Sequence, residues 1–297
     1  MSRVGITEGI PSIRMDLFRD VARIAAERLK QQGYEVSNSN PDEVLRDYFN
    51  AVRQRISRKP RKVYVAAGFK CPPKYQAAFD AICRKAEAGD DLVPYQSRKV
   101  LRLDYNDALL NDWDIHHLHL STKPDPKRKG LMQGTPDLLY VRVTHEAMYC
   151  IGIHKHDTWT DKQLVEVLHQ NWPETLQPIY GVRGEDITSE QRNTLRTKRA
   201  NAAVQMADGT VYTALGGGYT TSGLNIRAVI ATDQVYFICK DFENRIRGQI
   251  ETQSLGENAG SPTPEIEFVF HESGDVLYLR EENSGFTVLL LRLLPLL

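Results

Sequence analysis

The sequence from Asp114 to Trp159 determines the expected fold. It contains DIHHLHLS (114–121), DLLYVRV (137–143) and AMYCIGIHKHDTW (147–159). Apolar residues alternate with polar ones in each segment, which is typical of strands because successive side chains point to opposite faces. The connections are short enough for an antiparallel meander. The pattern therefore predicts three consecutive strands with one apolar face and one face of His, Tyr and Arg.

The apolar face of this meander is expected to form a buried layer against helices predicted at 74–88 and 161–171. Its expected members are Leu118, Leu120, Leu139, Val141, Ile151 and Ile153. The helices are predicted from apolar residues at helical spacing. Burial of these side chains on one side of the sheet would leave the histidines on the other.

The order of patterns along the chain predicts an α+β protein. Two amphipathic helices come first, then a strand, two helices, the meander and another helix, and finally strand-like segments that include NIRAVIA (225–231) and QVYFICK (234–240). The predicted domains are an N-terminal helical unit at 1–58, an α+β core at 59–178 and a mainly-β domain at 187–297.

Charge is unevenly distributed along a chain whose net charge is zero. Residues 1–130 contain 24 Lys and Arg against 17 Asp and Glu, whereas residues 131–297 contain 14 against 21. The predicted nucleic-acid contacts are Arg58, Lys59, Arg61 and Lys62 in one cluster, Lys127, Arg128 and Lys129 in another, and Lys155. Such asymmetry favours a polyanionic partner such as RNA. The alternative is ordinary solvation of a helix end and a loop.

Four histidines form two H-x-H pairs on the expected polar face. His119 and His156 are expected near the same end of the first and third strands, with backbones about 10 Å apart. Histidine exchanges protons near neutral pH, and RNA carries its own nucleophile in the 2′-hydroxyl. We therefore predict that His119 and His156 are an acid–base pair that cleaves RNA without a cofactor. His117 and Arg142 would hold the phosphate, and His154 would orient a neighbour or bind a base.

Other interpretations of these residues are open. A metal-dependent phosphodiesterase or hydrolase could hold zinc or manganese with His117, His119, His154, His156 and Asp157. The tripeptides HLS (119–121) and HDT (156–158) also resemble the H-x-[ST] motifs of two-histidine phosphoesterases. A third alternative is a non-catalytic nucleic-acid-binding or protein-binding module, in which the histidines lie on a solvated sheet face.

The order of predicted elements over residues 62–173 resembles that of RelE/ParE-like toxins. In this comparison LLYVRV (138–143) occupies the place of an arginine-rich central strand, and IGIHKHDTW (151–159) that of a strand ending in His or Arg. The resemblance implies a toxin-like ribonuclease core that cuts RNA without a metal. It also implies RNA or the ribosome as partner, a protein antitoxin or regulator, and a role in host defence. The chain is much longer than a typical toxin of that family.

The remaining motifs concern location and a glycine-rich loop. The sequence lacks a membrane-length apolar run and a secretory signal, and its four cysteines form no C-x-x-C pair, so a cytoplasmic protein without a membrane partner is expected. GGGYTTSG (216–223) lacks the G-x-x-x-x-G-K-[ST] phosphate loop. It is predicted to be a hairpin connection, with phosphate binding as the alternative.

Overall fold

The computed structural model describes residues 12–184, 187–254, 265–273, 276–282 and 287–289. The chain forms two compact units. One is Asn50–Val229, and the other comprises the described residues before position 50 and after position 229. The predicted division into three domains stays a prediction, because packing does not show which segments fold independently.

Helices and strands occur in the mixture expected of an α+β protein, so the predicted class is confirmed. The helices are α1 (Leu17–Gln31), α2 (Pro41–Gln54), α3 (Gln76–Ala88), α4 (Ala108–Trp113), α5 (Gln163–Asn171), α6 (Ser189–Thr197) and α7 (Ile226–Ser254). The strands are β1 (Ser12–Arg14), β2 (Lys62–Val65), β3 (Ile115–His119), β4 (Asp137–Val143), β5 (Ala147–Lys155), β6 (Val204–Gln205), β7 (Val211–Tyr212), β8 (Glu265–Ser273), β9 (Val276–Glu281) and β10 (Thr287–Leu289). Not one helix in these described ranges is long and apolar enough to cross a membrane.

The predicted meander forms the main sheet of the unit Asn50–Val229. Strands β3, β4 and β5 pair antiparallel in sequence order, and β2 adds to the outer side of β5 in parallel, giving the order β2-β5-β4-β3. The expected sequence of strand, helix, helix, meander and helix is confirmed. Because β2 and β5 run in the same direction, Lys62 and Ala147 lie at one end of the sheet and His154 lies towards the other.

A bulge in β5 changes the expected alternation of its side chains. Tyr140 pairs with Gly152 and Val141 pairs with Cys150, so Ile151 is the extra residue. A bulge of one residue shifts the following side chains to the opposite face. Ile151 therefore packs in a different layer from Ile153, and the prediction that both share one face is wrong for Ile151.

Both faces of the sheet are buried, each against a different helix. On the first face Leu118, Leu139 and Val141 pack with Phe79 and Ile82 of α3, as predicted. The second face, predicted to be polar, contributes a second buried layer with α5. Its members include Trp113, Ile115, Tyr140, Ile151, Leu164 and Leu168. The prediction that α5 covers the same face as α3 is therefore wrong.

The other unit contains α1 and the start of α2, and the caps of both helices follow from the sequence. Asp16 accepts a hydrogen bond from the Arg19 amide at 3.1 Å at the start of α1. Asn40 accepts one from the Asp42 amide at 3.0 Å, and Pro41 is the first residue of α2 as expected. The predicted helical pair is thus confirmed. In the same unit β1 pairs parallel with β8, and β8, β9 and β10 form the antiparallel strands expected near the C-terminus.

Helix α7 replaces the two strands predicted at 225–231 and 234–240. The β-branched and aromatic residues there favour a strand by propensity alone. The buried residues, however, recur at helical spacing, at Ala228, Thr232, Val235, Cys239 and Glu243. A continuous buried stripe outweighs local propensity, so the predicted strands are wrong. The loop expected at 253–264 lies outside the described residues from position 255 onward.

Candidate active site

Three of the four predicted histidines meet at one end of the main sheet. His117 and His119 lie opposite Tyr140 and Leu138, and directly paired residues share a face. His156 follows β5 in a 3₁₀ turn and is exposed to solvent. The ring centroids of His117 and His156 are 6.2 Å apart. We call His117, His119 and His156 the histidine cluster.

His119 is held in one orientation by the backbone of the β3–β4 connection. Its Nδ1 atom accepts a hydrogen bond from the Thr135 amide at 3.0 Å. This contact occupies the lone pair of Nδ1, so the proton of the neutral ring lies on Nε2. Burial, followed by the nearby His117 and His156, lowers the pKa of His119 to about 4. At neutral pH His119 is therefore a neutral ring that donates through Nε2.

His117 lies beside a carboxylate that the predictions did not include. Its Nδ1 atom is 3.9 Å from Oδ2 of Asp107, and both side chains are largely buried. Asp107 is fixed because its Oδ1 accepts from the Leu110 amide at 3.1 Å, which caps α4. Burial lowers the pKa of His117, with Asp107 acting in the opposite direction. The carboxylate favours a proton on Nδ1 and leaves the Nε2 lone pair available.

His154 occupies a separate position on the same face. Its ring lies 6.0 Å from that of Tyr140, measured between centroids, and covers Gly152. A β-carbon at Gly152 would collide with this ring, so a side chain there would require the ring to move. Burial lowers the pKa of His154. The structure thus gives His154 a packing role beside Tyr140.

Arg142 is not brought to the histidine cluster. It lies four residues along β4 from Leu138, the partner of His119, which corresponds to about 13 Å. Its Nη1 atom donates to the Thr175 carbonyl at 2.8 Å, and its Nη2 atom is 3.7 Å from Oδ2 of Asp114. These contacts direct the guanidinium away from the position in which it was predicted to hold a phosphate.

The predicted basic residues of the first cluster differ in their surroundings. Arg58 pairs with Asp91 at 2.6 Å, and the Lys59 ammonium contacts the His145 ring. Arg61 is buried, with its guanidinium donating to the carbonyls of Ser57 and Thr144 and to the Ser57 hydroxyl, so it is committed to the fold. Lys62 is exposed at the start of β2. It pairs with Ala147, about 23 Å along β5 from His154.

A groove of about 910 Å³ lies at that end of the sheet. Lys59, Lys62, Tyr64 and Tyr149 line it, together with Glu87 and Glu146. The rings of Tyr64 and Tyr149 are stacked 5.4 Å apart, and Tyr64 is 42% exposed. We call this the aromatic groove, since it combines two stacked rings, one of them exposed, with two lysines.

The second basic cluster lies at the same end of the sheet as the histidines. Lys127, Arg128 and Lys129 are exposed in the β3–β4 connection, which begins directly after His119. Lys155, the last residue of β5, is also exposed there. Three of these four cations thus belong to the connection that leaves β3 at this end of the sheet, and Lys155 directly precedes His156.

The metal site of the alternative interpretation stays a prediction. Among the residues that the structure describes, no three His, Cys, Asp or Glu side chains are grouped so that they could hold a metal ion. The side chain of Asp157, the oxygen ligand of the alternative prediction, lies outside the described part of the chain.

Two residues near the site were missed by the sequence interpretation. Asp107 follows Asn106 and precedes an apolar run, and this pattern could have predicted that Asp107 caps α4. The pattern could not have predicted that Asp107 lies beside His117. His116 is 8% exposed, and burial lowers its pKa to about 4. Its pairing with Val141 places it on the opposite face from His117.

Comparison with protein-family models, curated proteins and solved structures finds no match for this sequence.

Proposed function

We propose that the chain is a metal-independent ribonuclease in which the histidine cluster performs general acid–base chemistry. The observation that carries the proposal is the approach of His117 and His156, whose ring centroids are 6.2 Å apart beside the fixed ring of His119. Acid–base cleavage of RNA needs one proton acceptor and one proton donor on either side of a phosphate. Two imidazoles in this proximity can supply the acceptor and the donor.

The surroundings of the three rings suggest a role for each. Nε2 of His117 takes the proton of the 2′-hydroxyl, and the 2′-oxygen attacks phosphorus to form a 2′,3′-cyclic phosphate. His156 gives a proton to the departing 5′-oxygen, which leaves as a hydroxyl. His119 donates from Nε2 to a non-bridging phosphate oxygen and stabilises the developing charge. The proposed acid–base pair is therefore His117 and His156, whereas the sequence pattern predicted His119 and His156.

Substrate binding in this proposal uses the cations next to the cluster. Lys127, Arg128, Lys129 and Lys155 would contact phosphates that flank the cleaved bond. Arg142 is left out because its guanidinium is occupied by Thr175 and lies near Asp114. A toxin-like role with the ribosome as target and an antitoxin as regulator belongs to the resemblance to RelE/ParE-like toxins, and stays a prediction.

The test is cleavage of RNA by purified variants in the presence of a chelator. We expect His117→Ala and His156→Ala each to lower the rate roughly 10²–10⁴-fold, the usual contribution of one general acid or base. His119→Ala should lower the rate constant because it removes a hydrogen bond to the phosphate. His271→Ala on β8 is the matched control and should cleave at the wild-type rate. Folded variants of the cluster with full activity would contradict the proposal.

A second candidate function is non-catalytic binding of single-stranded RNA. The aromatic groove favours it, because an exposed tyrosine stacked on another ring and flanked by lysines is a platform on which bases can stack. Binding that depends on Tyr64 in a protein without cleavage activity would favour this function over the ribonuclease.

A further inference from the structure

A second cavity in the unit Asn50–Val229 has a strongly cationic lining. Its volume is about 350 Å³, at the small end of the range for ligand pockets. Lys99, Arg102, Arg196 and Arg199 line it, with Asp104 as the carboxylate of the lining. Arg102 is paired with Asp104 at 2.5 Å. The lining therefore has an excess of three positive charges, and we call it the cationic pocket.

Arg196, the buried arginine of the lining, shares a carboxylate with Arg192. Nε of Arg196 and Nη1 of Arg192 both bond Oδ2 of Asp112, at 2.9 and 3.2 Å. One carboxylate therefore serves two guanidinium groups, and the Arg196 side chain is 1% exposed. Nη2 of Arg196 has no hydrogen-bond partner within the described part of the chain. Nη1 of Arg196 also donates to the Trp159 carbonyl, and the guanidinium lies 4.1 Å from the centre of the Trp113 ring. The cations of the pocket that a ligand can reach are therefore the exposed Lys99 and Arg199.

The glycine-rich loop shapes the wall of the pocket around Arg199. Arg199 has a left-handed backbone with φ of 53°, which is uncommon for a residue with a side chain. Its Nη1 atom donates to the Gly223 carbonyl at 3.3 Å, and a β-carbon at Gly223 would collide with the Arg199 side chain. Tyr219 is held by two bonds with the Asn201 side chain, each 2.8 Å long. Arg199 directly follows the end of α6, where a left-handed residue commonly terminates a helix.

Aromatic rings complete the lining. Tyr105 and Tyr219 contribute to the pocket, and the Lys99 ammonium lies 5.6 Å from the centre of the Tyr105 ring. Guanidinium groups match the geometry of phosphate oxygens, and tyrosine rings offer a flat apolar surface to an organic group. The combination fits a ligand that has a phosphate at one end and a planar group at the other.

We propose that the cationic pocket binds a small phosphate monoester of nucleotide size, with the phosphate against Lys99 and Arg199. This site uses none of the residues assigned to RNA cleavage, so the two proposals can fail separately. The phosphate could come from a free nucleotide or from the 5′ end of an RNA strand. Both present the same phosphate chemistry to the pocket.

The experiment measures binding to the full chain by calorimetry, with AMP, inorganic phosphate, and a short RNA with or without a 5′-phosphate as probes. Variants Arg199→Gly and Lys99→Ala each remove one cation from the rim, and glycine suits the left-handed backbone at position 199. We expect each to weaken AMP binding at least tenfold. Lys198→Ala removes an exposed neighbouring cation that does not line the pocket, and should leave AMP affinity unchanged.

The outcomes separate the source of the phosphate and the validity of the site. Tighter binding of the 5′-phosphorylated RNA than of AMP, abolished by Arg199→Gly, would assign the pocket to RNA ends. Tighter binding of AMP, abolished by the same substitution, would assign it to free nucleotides. No binding of any probe at millimolar concentration, or equal weakening by Lys198→Ala and Arg199→Gly, would overturn the proposal.

Discussion

At the scale of single residues, the groups next to each histidine of the cluster decide what that histidine can do. The H-x-H spacing predicts that His117 and His119 share a face, and the register of β3 confirms it. The spacing does not predict which ring approaches His156, because that depends on the 3₁₀ turn after β5. It also cannot reveal the contact of His117 with Asp107, which joins residues from two different elements.

The buried histidines make stability depend on pH. The pKa values of His116 and His119 fall from about 6.5 in the unfolded chain to about 4 in the fold. Between these values the unfolded chain binds more protons, so stability is fully present above pH 6.5 and is lost as the pH falls towards 4. We expect the free energy of unfolding to fall by on the order of 1–3 kcal/mol for each ring. Urea denaturation at pH 7 and at pH 4.5 measures this difference.

His116→Gln provides the comparison for this effect, since it removes a buried titrating ring that has no place in the proposed chemistry. The variant should show a smaller loss of stability between pH 7 and pH 4.5 than the wild type. An identical loss in both proteins would show that His116 does not contribute.

At the scale of elements, alternation and spacing predict most of the strands and helices of the main sheet. The bulge in β5 is not visible in this pattern, because Met148, Cys150, Ile151 and Ile153 are all apolar and suit either face. The same limit applies to α7. Its local composition favours strands, and only the burial of residues spaced along one stripe shows why a helix forms.

The close approach of Gly152 and the His154 ring leads to a prediction about β5. Gly152→Ala would place a β-carbon against this ring, and we expect destabilisation of about 1–3 kcal/mol from overpacking. The measurement is chemical denaturation. His154→Ala in the same chain should remove most of this effect, because the collision disappears. Destabilisation that is unchanged in the double variant would contradict this account of the glycine.

The aromatic groove is tested by changing adjacent exposed residues of β2. Tyr64→Ser removes the ring on which a base would stack, and should weaken binding of single-stranded RNA by about 1–3 kcal/mol. Val65→Ser is the matched control, since Val65 is 47% exposed and Tyr64 42%. Fluorescence anisotropy with a short RNA gives both affinities. Equal affinities for the two variants would remove the groove from the RNA-binding surface.

At the scale of the whole molecule, charge follows the division into units. The range 50–229 contains 26 Lys and Arg against 19 Asp and Glu, and the rest of the chain contains 12 against 19. The basic excess predicted for residues 1–130 thus belongs largely to the unit that contains the histidine cluster. The sequence shows the imbalance, but the packing of the chain determines which cations accompany the site.

Salt dependence measures how many of these cations bind RNA phosphates. Replacement of Lys127, Arg128 and Lys129 by glutamine should reduce the slope of log affinity against log salt concentration by about 2. On single-stranded RNA each lost phosphate contact reduces this slope by roughly 0.7, and the triple variant loses three contacts. Replacement of Arg19 and Arg245, two exposed arginines of the other unit, is the control and should leave the slope unchanged. An unchanged slope in the triple variant would assign the cluster to ordinary solvation.

The central claim is that the histidine cluster cleaves RNA by activating the 2′-hydroxyl of the RNA itself. The most direct measurement is mass spectrometry of the products formed in a chelator from a DNA strand that contains a single ribonucleotide, with His156→Ala protein prepared in parallel. We predict cleavage only after the ribonucleotide, a 2′,3′-cyclic phosphate on one product, a 5′-hydroxyl on the other, and little product with His156→Ala. Cleavage of an all-DNA strand, 3′-hydroxyl ends, or activity that appears only when a metal ion is added would contradict the claim.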